Sequence, residues 1–297
     1  MTHPPSKVVK SQIVNGLSVD VEDWFQVGAF EGVIDRDSWE SLSDRVERNC
    51  DAILLMFADA GVKATFFTLG WVAQRHPALL RRIVAEGHEL ASHGWDHARV
   101  FTMDKASFAA DIERARKVLE DASGTRVTGY RAPSFSIDAR TPWAYSVLAE
   151  QGYAYSSSVA PITHDHYGWR DAPRFAFRPL PWADLIEIPV TTAQFAGKRL
   201  AAGGGGFFRV LPYAFSRWAI RQVNTQDQRP AVFYFHPWEI DPAQPRVPGA
   251  PLRSKLRHYT NLDVMAEKLE QLVREFAWGR MDVLALREAR LATELAA

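Results

Sequence analysis

Short apolar runs that alternate with segments of helical periodicity dominate the sequence and restrict the folds open to it. The runs at 13–19, 62–69 and 231–235 have the length and the β-branched or aromatic content of buried strands. Residues 38–60 place apolar side chains at helical spacing, and Gly61 ends that pattern. We count about seven strands, and strand–helix alternation favours a parallel sheet covered by helices. We therefore predict a single-domain α/β fold, a distorted (β/α)7 partial barrel, with an open doubly wound sheet as the alternative.

The remaining predicted elements continue this alternation. We predict strands at 88–92, 127–131, 153–155 and 185–190, and helices from about Pro77 and over 105–122, 141–151, 211–223 and 260–276. The Pro- and Trp-rich stretch 160–184 and the glycine run 203–206 are predicted to be irregular. The glycine run lacks the Lys-Ser/Thr of a phosphate-binding loop, so nucleotide binding is not expected.

The C-terminal part, 241–297, is predicted to be an integral extension of one domain that covers 13–297. The predicted helix at 260–276 carries an apolar stripe that requires a partner surface. A short strand that follows Trp278 and includes 283–284 is expected to join the edge of the sheet.

Charge and hydropathy exclude several partners. The chain has 35 basic and 35 acidic residues, so its net charge predicts neither a nucleic-acid groove nor a general attraction to anionic lipid. No run of 18 apolar residues is present, and no transmembrane segment is expected. The first residues, MTHPPSKVVKSQ, lack the apolar core of a signal peptide, so we expect a cytoplasmic protein.

Three carboxylates follow the first predicted strand. Asp20, Glu22 and Asp23 fall within four residues, directly after the run at 13–19. Solvated loop acids are one interpretation of such a cluster. An unpaired charge at the end of an apolar strand is costly, however, and a cation or a shared proton would relieve that cost. The cluster is therefore a candidate for metal binding or for acid–base chemistry.

Two histidines follow the predicted strand at 88–92. His93 and His97 are four residues apart, and both imidazoles face the same way if the segment is one helical turn. Two neutral imidazoles and one carboxylate form a three-ligand set with open positions, which is typical of catalytic zinc. A chance pair at this spacing is common, but the preceding strand and the acidic cluster favour a metal site.

Arg131 and His236 also come at the ends of predicted strands, the edge at which ligands bind in parallel β/α folds. Arg131 is a candidate for a buried ion pair or a substrate clamp, with a surface arginine as the alternative. His236 closes the apolar run 231–235 and is either a core histidine or an acid–base group.

These motifs, in this order, resemble those of the polysaccharide deacetylase family, carbohydrate esterase family four with its NodB-type homology domain. The resemblance extends from about residue 14 to about residue 240. The segments VDVEDWF, GYRAPSFS, YFHPWEID and FAWGRM are most similar to the cytoplasmic subgroup found with exosortase systems and exopolysaccharide assembly.

The resemblance implies a role for each motif. Asp20 matches the catalytic base, Arg131 the arginine that braces it, and His236 the late catalytic histidine. His93 and His97 match the two metal-binding histidines.

Two assignments depart from the usual family pattern. The metal carboxylate could be Glu22 or Asp23, because the usual adjacent Asp pair is replaced here, and we favour Asp23. Pro133, Ser134 and Trp238 are expected to contact substrate, although Ser134 stands where an aromatic residue is common.

The implied reaction is metal-assisted amide hydrolysis that removes N-acetyl groups from the amino sugars of a bacterial polysaccharide or its precursor. Zinc is the expected divalent metal. A hydrolase of another amide or of an O-acetyl ester on the same fold is one alternative. A non-catalytic carbohydrate-binding relative is the other.

Overall fold

A computed structural model of the chain describes residues 13–163 and 168–294. The first twelve residues, on which the expectation about a signal peptide rests, lie outside the described ranges. The strands are β1 (Asn15–Val21), β2 (Thr65–Thr68), β3 (Glu89–Ser92), β4 (Gly129–Tyr130), β5 (Tyr155–Ser156), β6 (Ile186–Glu187), β7 (Thr192–Phe195), β8 (Lys198–Ala201), β9 (Val232–Phe235) and β10 (Trp278–Gly279). The α-helices are α1 (Val46–Ala60), α2 (Gly70–Arg75), α3 (Pro77–Ala85), α4 (Lys105–Ser123), α5 (Ala144–Glu150), α6 (Gly205–Val210), α7 (Tyr213–Thr225), α8 (Leu252–Tyr259), α9 (Met265–Glu275) and α10 (Met281–Glu294).

Seven parallel strands follow one another in the order β9, β1, β2, β3, β4, β5, β6 and form a curled half-barrel. The short strand β10 pairs in parallel with the first two residues of β1. Strands β7 and β8 form a separate antiparallel hairpin. The predicted (β/α)7 partial barrel in one domain is confirmed. Because all seven strands run the same way, their carboxyl ends meet at one edge, where the candidate site lies.

Side chains of β1 alternate between the two faces of the sheet, as the pleat of a strand requires. Leu17, Val19 and Val21 pack in the main apolar core, between the sheet and the surrounding helices. Ser18 and Asp20 point into the barrel, where both contact Arg131. The outer face of the strand therefore stabilises the fold, and its inner face carries the polar groups of the site.

The helix α10 closes the amino-terminal end of the barrel. An apolar cluster there joins strand residues to that helix; its buried members are Phe67, Ala91, Tyr155, Ile186, Ile188, Val232, Met281, Leu284 and Ala285. A Cβ atom at Gly16 would lie 2.5 Å from the Met281 sulfur, so a larger residue here would force the Met281 side chain to move.

The prediction of a strand that includes 283–284 is wrong. Pairing with β1 ends at β10, and residues 283–284 lie in α10. Two buried side chains explain the change. Thr65 accepts a hydrogen bond from the N–H of Met281 at 2.7 Å, and Glu89 accepts one from the N–H of Asp282 at 3.0 Å. These acceptors cap the first turn and favour a helix at this point.

Two other local expectations differ from the structure. Helix α6 begins at Gly205, inside the glycine run predicted to be irregular. The short helix α2 was not predicted, and its first N–H groups donate to the carbonyls of Gly94 and Trp95. Across the described ranges, no helix combines the length and the apolar character needed to cross a bilayer.

Candidate active site

A buried ion pair joins Asp20, at the inner face of β1, to Arg131, just after β4. Nη1 of Arg131 donates to Oδ1 of Asp20 at 2.6 Å, and the arginine side chain is fully buried. Its Nε and Nη2 groups donate to the main-chain carbonyl and the hydroxyl of Ser157, at 3.0 and 2.9 Å. Because the guanidinium is held from two sides, it fixes the direction of the Asp20 carboxylate, which lines the cleft.

Glu22, His93 and His97 bring three metal-ligating atoms within 4.8 Å of one another, and all three residues are buried. Nδ1 of His93 lies 2.8 Å from the main-chain oxygen of Arg131. A carbonyl only accepts, so Nδ1 carries the proton and Nε2 is the ligand nitrogen. Burial lowers the pKa of His93 to about 4, which favours the neutral ring that a metal requires.

The carboxylate of Glu22 lies close to His97 and His236 at the carboxyl edge of the sheet. Its Oε2 atom lies 2.9 Å from Nε2 of His97, and its Oε1 atom lies 3.6 Å from Nε2 of His236. Burial raises the pKa of Glu22, but the nearby His97 and His236 outweigh burial and hold it well below the usual range. One carboxylate and two imidazoles are the chemistry of a catalytic zinc site, so these residues fit a divalent cation.

Asp23, which we favoured as the metal carboxylate, lies outside this cluster, and the carboxylate within the cluster is that of Glu22. Oδ2 of Asp23 accepts the N–H groups of Arg45 and Val46 at 2.6 and 3.0 Å, and Oδ1 accepts that of Trp24 at 2.8 Å. Burial raises the pKa of Asp23 to about 6. The side chain therefore caps the start of α1 and serves the fold.

The loop that carries the two histidines is not the predicted helical turn. Gly94 and His97 have φ angles of 75° and 63°, in the left-handed region. The carbonyls of Gly94 and Trp95 accept N–H groups from α2, and the N–H of Trp95 lies 3.2 Å from Asp111 Oδ2. These bonds shape the loop so that both imidazoles still reach Glu22.

His236 follows β9 and is paired with a carboxylate three residues later. Its Nδ1 atom lies 2.7 Å from Oε1 of Glu239. Burial lowers the pKa of His236, but the charges of Glu22 and Glu239 outweigh burial and raise it to about 9. A histidine held in this way can donate a proton from Nε2.

The carboxylate of Glu239 is itself held by a buried arginine from α6. Nε of Arg209 donates to Oε2 of Glu239 at 2.7 Å. Nη1 of Arg209 donates to the carbonyls of His258 and Thr260 at 3.0 and 2.6 Å. A chain of contacts therefore runs from the main chain near the end of α8 to His236.

Trp238 lines the cleft, but most of its side chain is buried against other residues of the site. Only 7% of it is exposed. Its Nε1 group donates to Oε1 of Glu22 at 3.2 Å, and its ring stacks on His236 and His258 at 5.1 and 4.1 Å between centroids. Ser134 lines the cleft, whereas Pro133 is buried behind it, near Gly94.

Sequence reasoning missed Arg209, Ser157 and His258. Arg209 leaves one signal, because it is a charged residue inside the apolar stretch 207–211 and such a residue requires a buried partner. Ser157 and His258 leave no comparable signal, since neither belongs to a motif.

The fold and the cleft together define a parallel β/α protein with a two-histidine, one-carboxylate site at the carboxyl edge of its sheet. Two segments of the chain match known family profiles. Residues 37–156 match the polysaccharide deacetylase family, and residues 157–286 match a domain of unknown function, DUF3473. The match to the polysaccharide deacetylase family covers 120 of the 297 residues.

Curated relatives match part of the chain. A chitin deacetylase from Pestalotiopsis sp. is 31% identical over 118 residues, which cover 38% of this chain and 39% of the relative. A chitooligosaccharide deacetylase from Rhizobium leguminosarum bv. trifolii is 33% identical over 92 residues, which cover 31% of this chain and 43% of the relative. The chain thus spans about two fifths of the length of these two relatives.

One solved structure shares the fold over nearly the whole chain. A probable polysaccharide deacetylase from Pseudomonas aeruginosa PAO1 superposes with a TM-score of 0.61 at 16% identity, and the match covers 93% of this chain and 90% of that one. The similarity extends the common fold beyond the segments in which sequence identity is detectable.

Proposed function

We propose that this chain is a metal-dependent hydrolase that removes N-acetyl groups from the amino sugars of a bacterial polysaccharide or its precursor. One observation carries the proposal. Asp20, which Arg131 holds in place, and the His236–Glu239 pair line the same cleft as the cluster of Glu22 and two histidines. The similarity to chitin and chitooligosaccharide deacetylases supports the same reaction class.

Glu22, His93 and His97 would hold the cation, and zinc is our first choice for this donor set. A bound divalent cation supplies Lewis acidity toward the acetyl carbonyl and lowers the pKa of water. The three ligands leave coordination positions open, which a hydrolytic site requires.

The proton steps belong to two residues that line the same cleft as this cluster. Asp20 accepts a proton from the attacking water, and Arg131 holds its carboxylate in place. The C–N bond then breaks, and His236 donates its Nε2 proton to the departing amine. A main-chain N–H near Ser134 would help to hold the carbonyl oxygen as it gains charge. The products are acetate and a free amino sugar.

The resemblance of the motifs to the exopolysaccharide-associated subgroup supports a bacterial exopolysaccharide as the polymer and the cytoplasm as the location. Acetate release from a panel of N-acetylated glycans, small amides and O-acetyl esters, with and without added zinc, would test the substrate class. Release that is confined to the small amides or the esters would contradict the proposal.

Asp20→Asn separates the base from the metal ligands. We expect the variant to retain its zinc and to lose about a hundredfold to ten-thousandfold in kcat, because the water is no longer deprotonated. Metal analysis and acetate release on the same preparation check both statements. Loss of zinc together with activity would mean that Asp20 is a ligand and that our division of roles is wrong.

A further inference from the structure

Trp238 reaches the candidate metal cluster from the C-terminal half of the chain. It follows β9, within the segment 157–286 that matches a family profile of unknown function. Because β9 and β1 are neighbours in the sheet, the indole comes close to Glu22, which directly follows β1. The Nε1 group of Trp238 donates to Oε1 of Glu22 at 3.2 Å, and both side chains are buried.

The two carboxylate oxygens of Glu22 have different surroundings. Oε1 accepts the indole N–H of Trp238. Oε2 is buried and lies 2.9 Å from Nε2 of His97, but this contact lacks the geometry of a hydrogen bond. A buried carboxylate oxygen without a hydrogen bond is costly, and a cation held by Glu22 and His97 would remove that cost.

The indole of Trp238 is itself held in one orientation. Its ring lies between those of His236 and His258, with interplanar angles of 18° and 16° and centroid distances of 5.1 and 4.1 Å. The guanidinium carbon of Arg209 lies 5.4 Å from the centre of the same ring. Gln244 donates to the main-chain carbonyl of Trp238 at 2.8 Å. These contacts fix the direction in which the indole N–H points.

We propose that Trp238 is a positioning residue of the metal site, whose indole N–H holds Oε1 of Glu22 and leaves Oε2 for the cation. A glutamate side chain has one more rotatable bond than an aspartate, so a hydrogen bond that orients its carboxylate favours ligation. An indole N–H only donates and cannot itself bind the cation. The inference rests on the proposed function, because it concerns the cation that the cluster would hold.

Filling of the core is the competing role for a buried tryptophan, and Trp278 represents that role in the same chain. Trp238 and Trp278 are both 7% exposed, and both pack in the main apolar core. They differ in what accepts the indole N–H. The acceptor for Trp278 is the main-chain carbonyl of Leu272, at 3.0 Å, whereas the acceptor for Trp238 is a carboxylate of the metal cluster. Trp278 is therefore a matched control.

Trp238→Phe removes the indole N–H and keeps an aromatic ring. We expect this variant to bind zinc at least about tenfold more weakly than the wild type, because the carboxylate of Glu22 is no longer held. Trp278→Phe should change the zinc dissociation constant by less than about twofold. Competition with a chromophoric chelator measures both constants, and circular dichroism establishes that the variants are folded. Equal zinc affinity in the wild type and Trp238→Phe would overturn the proposal.

A double-mutant cycle shows whether Trp238 acts through Glu22. Once Glu22→Ala has removed the carboxylate, Trp238→Phe should weaken zinc binding by less than about a further twofold, because the indole N–H has no ligand left to orient. A general loss of packing would weaken zinc binding by the same factor in both backgrounds. That additive result would contradict the positioning role.

The indole N–H can also be followed while Trp238 is intact, which covers the case that Trp238→Phe does not fold. The chain has ten tryptophans, whose indole N–H groups appear in a heteronuclear NMR spectrum. The resonance displaced most by Glu22→Ala should also be the one displaced most when zinc is added to the wild type. Two different resonances would overturn the inference.

The same measurements separate this inference from the proposed function. A wild-type chain that binds no divalent cation would overturn both. Zinc binding by the wild type that is unaffected by Trp238→Phe would overturn the positioning role alone. Neither the affinities nor the spectra depend on catalytic activity.

Discussion

Adjacent carboxylates at the end of β1 have separate environments. Glu22 faces two histidines inside the barrel, whereas Asp23 accepts three main-chain N–H groups, two of them at the start of α1. The N–H groups fix Asp23 outside the cluster and stabilise the helix. Glu22 is therefore the carboxylate that we propose for the cation.

Glu22→Gln and Asp23→Asn should have opposite phenotypes. Glu22→Gln is expected to weaken zinc binding about a hundredfold or more, because a charged ligand is lost. Asp23→Asn should retain zinc but lower the free energy of unfolding by about 1 to 2 kcal/mol, because a helix cap is weakened. Titration calorimetry and chemical denaturation measure the two quantities. The reverse pattern would restore Asp23 as the ligand.

His236→Ala should retain zinc and reduce kcat for an N-acetyl sugar by about a hundredfold or more, because the amine leaves unprotonated. An aryl acetate ester has a good leaving group that needs little protonation, so its hydrolysis should suffer much less. Steady-state kinetics on both substrates provide the comparison. Equal losses on the two substrates would argue against His236 as the acid.

Part of the site could be predicted at this scale. Asp20 lies near the end of β1, Arg131 and His236 follow β4 and β9, and parallel strands bring such residues to one edge. The choice between Glu22 and Asp23 could not be predicted, because it depends on where α1 begins relative to β1. The contact of Arg209 with Glu239 was also beyond sequence reasoning, since it joins two elements that no motif links.

At the scale of elements, the junction between α10 and the barrel contains a buried acid. Glu89 accepts hydrogen bonds from the hydroxyls of Thr65 and Tyr155 and from the N–H of Asp282. Burial, with the nearby charge of Asp282, raises the pKa of Glu89 to about 7. The folded state therefore holds a proton on this carboxyl at pH values where the unfolded chain has lost it.

This raised pKa predicts a specific pH dependence of stability. The contribution of Glu89 is fully present below about pH 4.5 and is lost as pH rises through about 7, because ionisation then favours the unfolded chain. Glu89→Gln should remove that loss, worth about 3 kcal/mol. The difference in unfolding free energy between variant and wild type, measured from pH 5 to 8, should grow with pH. A constant difference would contradict the prediction.

Element boundaries show the limits of pattern reading. The helices α1 and α9 and the strands β2 and β9 fall within their predicted segments, because amphipathic or apolar periodicity defines them. Helix α4 extends one residue and strand β1 two residues past the predicted end. The strand predicted at 283–284 fails because Leu284 packs from a helix that closes the amino-terminal end of the barrel, while Val283 is exposed on that helix. Short apolar segments have the same sequence pattern in strands and in helices. Here the hydrogen bonds from Met281 and Asp282 to Thr65 and Glu89 favour the helix.

At the scale of the whole molecule, we propose that the C-terminal part is integral to the domain. Deletion from residue 258 onward removes α9, β10 and α10, together with the carbonyls that hold Arg209. We expect the truncated chain to lose cooperative thermal unfolding, because the barrel interior is opened to water. A truncated protein that melts cooperatively at the wild-type temperature would refute this.

Met281→Ala is a milder form of the same experiment, and it keeps the test informative if the truncated chain is insoluble. The cavity left beside Gly16 should cost about 2 to 5 kcal/mol in the free energy of unfolding. Leu286→Ala, on the exposed side of the same helix, should change stability by less than about 0.5 kcal/mol.

The hydrogen bonds from Arg209 to main-chain oxygens affect which substitutions the chain can accept during evolution. The carbonyls of Arg257, His258 and Thr260 exist whatever side chains those positions carry. Substitutions on the exposed faces of α8 can therefore accumulate while the backbone continues to support Glu239 and His236. The exposed side chains of α8 can therefore change in sequence while Glu239 and His236 keep their positions.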